Sequence, residues 1–295
     1  MPRPTPRLFF AALALLPGLL GTAAPTAADP SSDGDFLWRI ESPANTVYLL
    51  GSIHALRRED YPLPTAYGAA YSQAEAVVVE TRTTGDAGQQ VRQALGDLKG
   101  GPPLEERLAP AQLRRARELA EELDYDLDRL GRLDPWLAGM VVMREELRKA
   151  GFDPRHGVDA FFQQRADADG KPVLTLESPA EQIHMLRQLP AGLQGDFLLR
   201  ALQEAKALDQ ELSRLVTAWR AGDRKAVLRL VRDELKPFPD LRRRLVVERN
   251  RRWLPRIESF VGEERDYLVI VGAAHLLGED GMLTLLRQRG YRVSP

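Results

Sequence analysis

Residues 267–275 read YLVIVGAAH. Tyr267 to Val271 is an unbroken apolar run that closes on three β-branched residues. That is the length and composition of a strand buried on both faces, as in a parallel sheet. Gly272 breaks the run, and His275 follows three residues later. The same ending occurs near the front of the chain in TVYLLGSIH, residues 46–54, with Gly51 and His54. The chain has four histidines, and two of them stand in this phrase. The sequences flanking the two copies do not repeat, so this is no internal duplication. Two separate strands end in the same way.

Two more apolar runs also end on a charge. AVVVE, residues 76–80, ends on Glu80, and VLTLE, residues 173–177, ends on Glu177. In open parallel sheets ligands bind beyond the carboxyl ends of the strands. If these four strands run parallel, two imidazoles and two carboxylates converge on one edge. Each glycine lets the chain leave the sheet, through a positive φ or a close backbone approach. Two neutral imidazoles with one or two carboxylates form a suitable shell for Zn²⁺, Mn²⁺, Co²⁺ or Fe²⁺, with a position left for water. A carboxylate outside that shell is placed to take a proton from the water. The rival reading is that these polar strand ends only satisfy backbone groups.

The remaining chain reads as α/β, a largely parallel sheet flanked by helices. FLWRIES (36–42) and NTVYLLGS (45–52) are strands joined by a Ser/Pro/Asn turn. TAYGAAYSQA (65–74) forms a short helix. Residues 84–102, rich in Gly and polar residues, mark a loop or a shift in architecture. Apolar positions recur at helical spacing over 104–150, where Asp134 is placed as a cap, Pro135 opens a helix and Gly151 closes it. Residues 157–170 form a further helix. Ser178, Pro179 and Glu181 spell a capping box. Residues 190–260 are helical and charged, broken by Gly222 and by KPFPD (236–240). A helix over 281–290 and a short strand at 291–293 end the chain. The helical stretches at about 100–160 and 190–260 read as insertions forming a lid or subdomain of one domain spanning 36–295.

The first 28 residues read as a cleavable leader. MPRPTPR carries two arginines, LFFAALALLPGLLG is too short to span a bilayer comfortably, and Ala28 closes a small-residue cleavage site. Residues 29–35 are a flexible lead-in. The expected location is periplasmic or secreted, with no stable membrane anchor after cleavage. Net charge is −1, which gives no electrostatic reason to expect a nucleic-acid partner. Without cysteine there is no disulfide, no thiolate nucleophile and no Cys-based metal site. The chain also lacks a G-x-S-x-G elbow, an H-E-x-x-H helix and a phosphate-binding Gly-rich loop.

Five segments, in this order, resemble the TraB/GumN family, which includes the Tiki proteins. They are LWRIESPANTVYLLGSIHAL, AVVVE, GVDAFFQQRADADGKPVLTLESPAEQ, ERNRRWLPRIE and VGAAHLLGEDGMLTLLRQRGYRV. The third carries Glu177 with Gln182 five residues later, and the fourth the pair Arg249 and Asn250. The resemblance covers about 36–293. It implies an α/β fold related to erythromycin-esterase-like and haem-handling ChaN-like proteins. It also implies a metal-dependent hydrolase, most simply a peptidase, whose Tiki members use manganese or cobalt. On this reading His54, Glu80 and His275 hold a divalent metal (Mn, Co or Zn), and Glu177 orients or activates water. Arg249, Asn250 and Gln182 contact a peptide or small-molecule substrate. Members often carry an acid two residues after the first Glu, where this chain has Arg82, so the number of metals is open. The alternative is a non-catalytic protein that captures a peptide or haem through the same residues.

Overall fold

The computed structural model describes residues 36–82, 84, 89–91, 102–236 and 238–295. The expected leader and lead-in, and most of the expected loop at 84–102, lie outside the described residues. Six strands form one sheet: β1 (Leu37–Glu41), β2 (Thr46–Ser52), β3 (Ala76–Val79), β4 (Val173–Thr175), β5 (Tyr267–Gly272) and β6 (Val293–Ser294), in the order β4-β3-β5-β2-β1-β6. β5 lies between β3 and β2 and is parallel to both, and β4 is parallel to β3. β1 and β6 add an antiparallel edge. The burial follows the sequence pattern. The apolar runs of β3 and β5 are buried at every position, whereas β1 alternates, with Trp38 and Ile40 inward and Arg39 and Glu41 outward.

Helices α1 (Thr65–Gln73), α2 (Pro110–Glu122), α3 (Pro135–Lys149) and α4 (Val158–Asp169) lie between β2 and β4 in the chain. Between β4 and β5 run α5 (Pro179–Arg187), α6 (Ala191–Glu204), α7 (Leu208–Arg220), α8 (Arg224–Leu235) and α9 (Glu248–Val261), and α10 (Met282–Gln288) precedes β6. The two helical stretches pack on each other, chiefly α3 and α2 against α6. Gly139 lets α3 and α6 close, since a Cβ there would lie 2.7 Å from the Phe197 ring. Among the described residues, no helix is long and apolar enough to cross a membrane.

Local signals are mostly obeyed. Ser178 and Glu181 form the capping box of α5, and Gly151 and Gly222 follow helix ends with positive φ. Asp134 differs. Its carboxylate makes no bond to the first turn of α3 and pairs with Arg107 instead. The helix after Pro110 is also shorter than the spacing suggested. It ends at Glu122, Asp124 takes a positive φ of 52°, and Leu127–Leu130 forms a separate 3-10 turn.

Candidate functional site

The parallel register brings the four strand endings together. Pairing of β3 with the chain beyond β4 continues past the strands, with Leu176 N–H donating to Val79 O and Glu177 N–H to Glu80 O, both at 2.9 Å. The two glutamates therefore leave the sheet side by side. On the other flank of β3, Gly272 N–H donates to Oε1 of Glu80 at 2.7 Å. Gly272 and Gly51 both lack a positive φ, so their use is close approach. A Cβ on Gly272 would stand 2.7 Å from His54 Nε2, 3.4 Å from Glu80 Oε1 and 3.6 Å from His275 Cδ2. The missing side chain thus leaves a cradle bounded by the three residues expected to hold a metal. At Gly51 a Cβ would press on Phe36 at 3.2 Å, and the Gly51 carbonyl accepts from Trp219 Nε1 at 2.8 Å.

His54 is set by the start of α4. Its Nδ1 lies 3.0 Å from Oδ1 of Asp159, which also accepts from Ser52 Oγ at 2.8 Å. Gly157 makes this approach feasible, because a Cβ there would lie 2.4 Å from the carbonyl oxygen of His54. Val158 N–H donates to Ile53 O at 3.0 Å and closes the contact. Nε2 of His54 then faces Oε1 of Glu80 at 3.7 Å.

His275 is set by α9. Asn250 donates its amide N–H groups to the carbonyls of His275 and Asp280 at 3.0 and 2.8 Å, so its Oδ1 must accept from His275 Nδ1 at 2.7 Å. That fixes the tautomer and leaves a lone pair on Nε2, which stands 3.8 Å from Glu80 Oε1. A π-helical turn at Arg243–Val247 runs directly into α9, and Arg249 and Asn250 both face inward after it. All five N–H groups of Arg249 are used. Nε and Nη2 donate to Glu177 Oε1 at 2.9 and 2.6 Å, and Nη2 donates to Glu80 Oε2 at 2.6 Å. Nη1 donates to Leu245 O and to His275 Nε2, both at 3.2 Å. The guanidinium lies over the Trp253 ring at 4.5 Å.

Burial and charge oppose each other here. Burial alone would raise the Glu80 carboxyl, but Arg249, the two histidines and the Gly272 N–H outweigh it and bring the pKa down to about 2. Burial would lower His54, but Asp159, through charge and hydrogen bond, and Glu80 outweigh it and raise the pKa to about 9. For His275 burial wins, helped by Arg249 and His54, and brings the pKa down to about 3 despite Glu80. Over the physiological range His275 is therefore neutral and Glu80 ionised, while His54 without an ion is protonated and must give up its Nε2 proton to any ion that binds there. The site is more open at His54 and Asp159, whose side chains are 17% and 16% exposed, than at Glu80 and His275, which are 5% and 6% exposed.

The donor set fits a divalent ion in kind. Two imidazole Nε2 atoms and a carboxylate oxygen face one another, each imidazole is oriented through its Nδ1, and Gly272 leaves room between them. Among the described residues, however, no group of three or more His, Asp or Glu side chains is placed to hold a metal ion as it stands. Here the Arg249 cation already takes Oε2 of Glu80 and the lone pair of His275.

His54, Glu80, Glu177, Gln182, Arg249, Asn250 and His275 thus all gather at one sheet edge. Three of them are turned inward rather than toward a substrate: Arg249 is 1%, Asn250 0% and Gln182 3% exposed. Gln182 Nε2 donates to Glu177 Oε1 at 2.7 Å. That oxygen accepts three N–H groups, whereas Glu177 Oε2 meets Arg252 Nη2 at 3.4 Å. Arg82 points away from this cluster to Asp167. The residue that sequence reasoning passed over is Asp159. Its signal was available in Gly157-Val158-Asp159, a glycine followed by an acid at a helix start, but nothing local says that the acid faces His54.

Known proteins resemble the chain over most of its length. YbaP of Escherichia coli (strain K12), an uncharacterized protein, is 28% identical over 244 residues, covering 81% of this chain and 87% of that protein. An uncharacterized protein of Treponema pallidum is 25% identical over 275 residues, covering 85% of this chain and 80% of that one. The metalloprotease TIKI2 of Danio rerio is 25% identical over 321 residues, covering 88% of this chain and 60% of its own length. No solved structure matches the chain significantly. The model of the TraB/PrgY/gumN family matches residues 36–295. That span starts just before β1 and includes every strand and helix that builds the site, and the chain belongs to the TraB/PrgY/gumN family.

Proposed function

We propose that the protein is a metal-dependent hydrolase, most simply a peptidase. The observation that carries this reading is the meeting of His54 Nε2 and His275 Nε2 across Glu80 Oε1, at 3.7 and 3.8 Å, around the space that Gly272 leaves. The similarity to a metalloprotease supports it. His54, His275 and Glu80 would hold the ion, and Mn²⁺, Co²⁺ and Zn²⁺ all suit such donors. A divalent ion there would supply Lewis-acid activation of water and of a scissile carbonyl.

The chain's own groups do the rest. Asp159 and Asn250 keep the two Nε2 atoms aimed at the cradle. Arg249 is anchored on Glu177, and Gln182 braces that carboxylate. In this reading Glu177, Arg249, Asn250 and Gln182 are positioning residues. A peptide or small-molecule substrate enters over His54 and Asp159, where the site is more open. Export to the periplasm or beyond is supported by the leader pattern of residues 1–28, and cell fractionation checks it.

The test is the metal content of purified protein by mass spectrometry, for wild type and for His54→Ala and His275→Ala. Wild type is expected to retain one divalent ion per chain and the variants to lose it. A peptide-library digest with added Mn²⁺ or Co²⁺ then reads activity, which Glu80→Gln should abolish. Equal metal content in all three proteins would sink the metal site. Metal binding without cleavage would leave a capture protein.

A further inference from the structure

The lone pair of His275 Nε2 is the one a metal needs, and in this structure it accepts a hydrogen bond from Arg249 Nη1 at 3.2 Å. The two uses exclude each other. An ion on Nε2 must displace the N–H group that points at it, and a guanidinium that is 1% exposed cannot be screened by water from a doubly charged neighbour. Arg249 also ties up Oε2 of Glu80 and shares Glu177 with Arg252, so two cations face these two carboxylates.

The means of retreat is built in. Nε and Nη2 both rest on Glu177 Oε1, which Gln182 braces, while Nη1 alone makes the His275 contact. Rotation about the Glu177 anchor moves Nη1 off both His275 and Leu245 O and Nη2 off Glu80 Oε2, while Nε stays on the Glu177 carboxylate. The Trp253 ring beneath offers a flat face throughout.

We propose that Arg249 is an internal cation that masks the His275 ligand and withdraws from it when a divalent ion binds, so that this arginine lowers the affinity of the site for metal. The proposal rests on the reading of the site as a metal centre. Glu177 and Gln182 acquire a role in it as the pivot of the retreating side chain.

The test is calorimetric titration of metal-free wild type, Arg249→Gln and His275→Ala with Mn²⁺. Arg249→Gln is expected to bind roughly tenfold tighter than wild type or better, because a positive charge beside the ion is gone. Equal or weaker binding by a folded Arg249→Gln overturns the proposal. Removing a buried arginine leaves two carboxylates facing each other and can unfold the chain, so a second measurement uses wild type. The Arg249 Nη–H resonances, slowed by low temperature and assigned by their absence in Arg249→Lys, are followed by ¹⁵N-correlated NMR during addition of Zn²⁺. A shift that saturates with the ion supports the proposal, and an unmoved resonance at saturation overturns it. Wild type that binds metal no better than His275→Ala defeats the metal-centre reading itself. Wild type that binds well while Arg249 is indifferent defeats only this inference.

Discussion

Gly157→Ala separates local from tertiary reasoning. Gly157 precedes α4 with φ −56° and ψ 148°, a conformation that alanine adopts without strain. Local capping preference alone therefore expects a loss of about 1 kcal/mol at this position. The tertiary contact says otherwise. The added Cβ would stand 2.4 Å from the carbonyl oxygen, 2.7 Å from the carbonyl carbon and 3.1 Å from the Cα of His54. These are backbone atoms, so no rotamer relieves the clash, and the two segments must part by about 1 Å to reach ordinary contact. That opening weakens Val158 N–H to Ile53 O and His54 Nδ1 to Asp159 Oδ1, each now 3.0 Å long. A neutral backbone bond and a charge-assisted bond together are worth about 2–4 kcal/mol. At roughly 2–4 °C per kcal/mol for a domain of this size, thermal unfolding should fall by about 4–16 °C. Scanning calorimetry reads this directly, and loss of metal binding should accompany it. A variant that melts within 1 °C of wild type and binds metal equally well would refute the packing of α4 on the His54 loop.

Three other perturbations test the site. Asp159→Asn removes the carboxylate that orients His54, and metal affinity by calorimetry should fall about 10–100-fold with little change in melting of the metal-loaded protein. Trp219→Phe keeps the ring packing but deletes the donor to Gly51 O; leaving that carbonyl unpaired should cost about 1–3 kcal/mol in urea unfolding. The pH dependence of the metal-free protein follows from three shifts. His54, raised from 6.5 to about 9, contributes stability that is complete below 6.5 and is lost as pH rises through 9. His275, lowered from 6.5 to about 3, and Glu80, lowered from 4.5 to about 2, contribute stability that is lost on acidification, over those respective windows. Melting temperature should thus peak near pH 6.5 and fall on both sides; a profile still rising at pH 8 contradicts the His54–Asp159 pairing.

Much of the site was legible because strand endings are local features. An apolar run, a glycine and a histidine three residues on, or a run closing on glutamate, mark positions that a parallel sheet must bring to one edge. The strand pairing of β4-β3-β5-β2 did so. The capping box at Ser178 was equally readable, since both partners lie within one turn. Asp134 was not, because its carboxylate had a rival outside the helix in Arg107, 27 positions back in the sequence.

What the sequence determined by itself is the set of groups at the strand ends and the direction in which the strands deliver them. It could do so because alternation, run length and turn residues act over a few positions. Which way each side chain faces was decided only by tertiary structure. Arg249 and Asn250 read equally well as substrate contacts from a helix surface, but the packed helix buries both. It joins them to Glu80, Glu177 and His275, residues 26 to 169 positions away in the case of Arg249. Asp159 became part of the site only when Gly157 let a helix start touch the His54 backbone. Hydrogen bonds and charges between distant segments depend on how elements pack, and no window of the sequence contains that information.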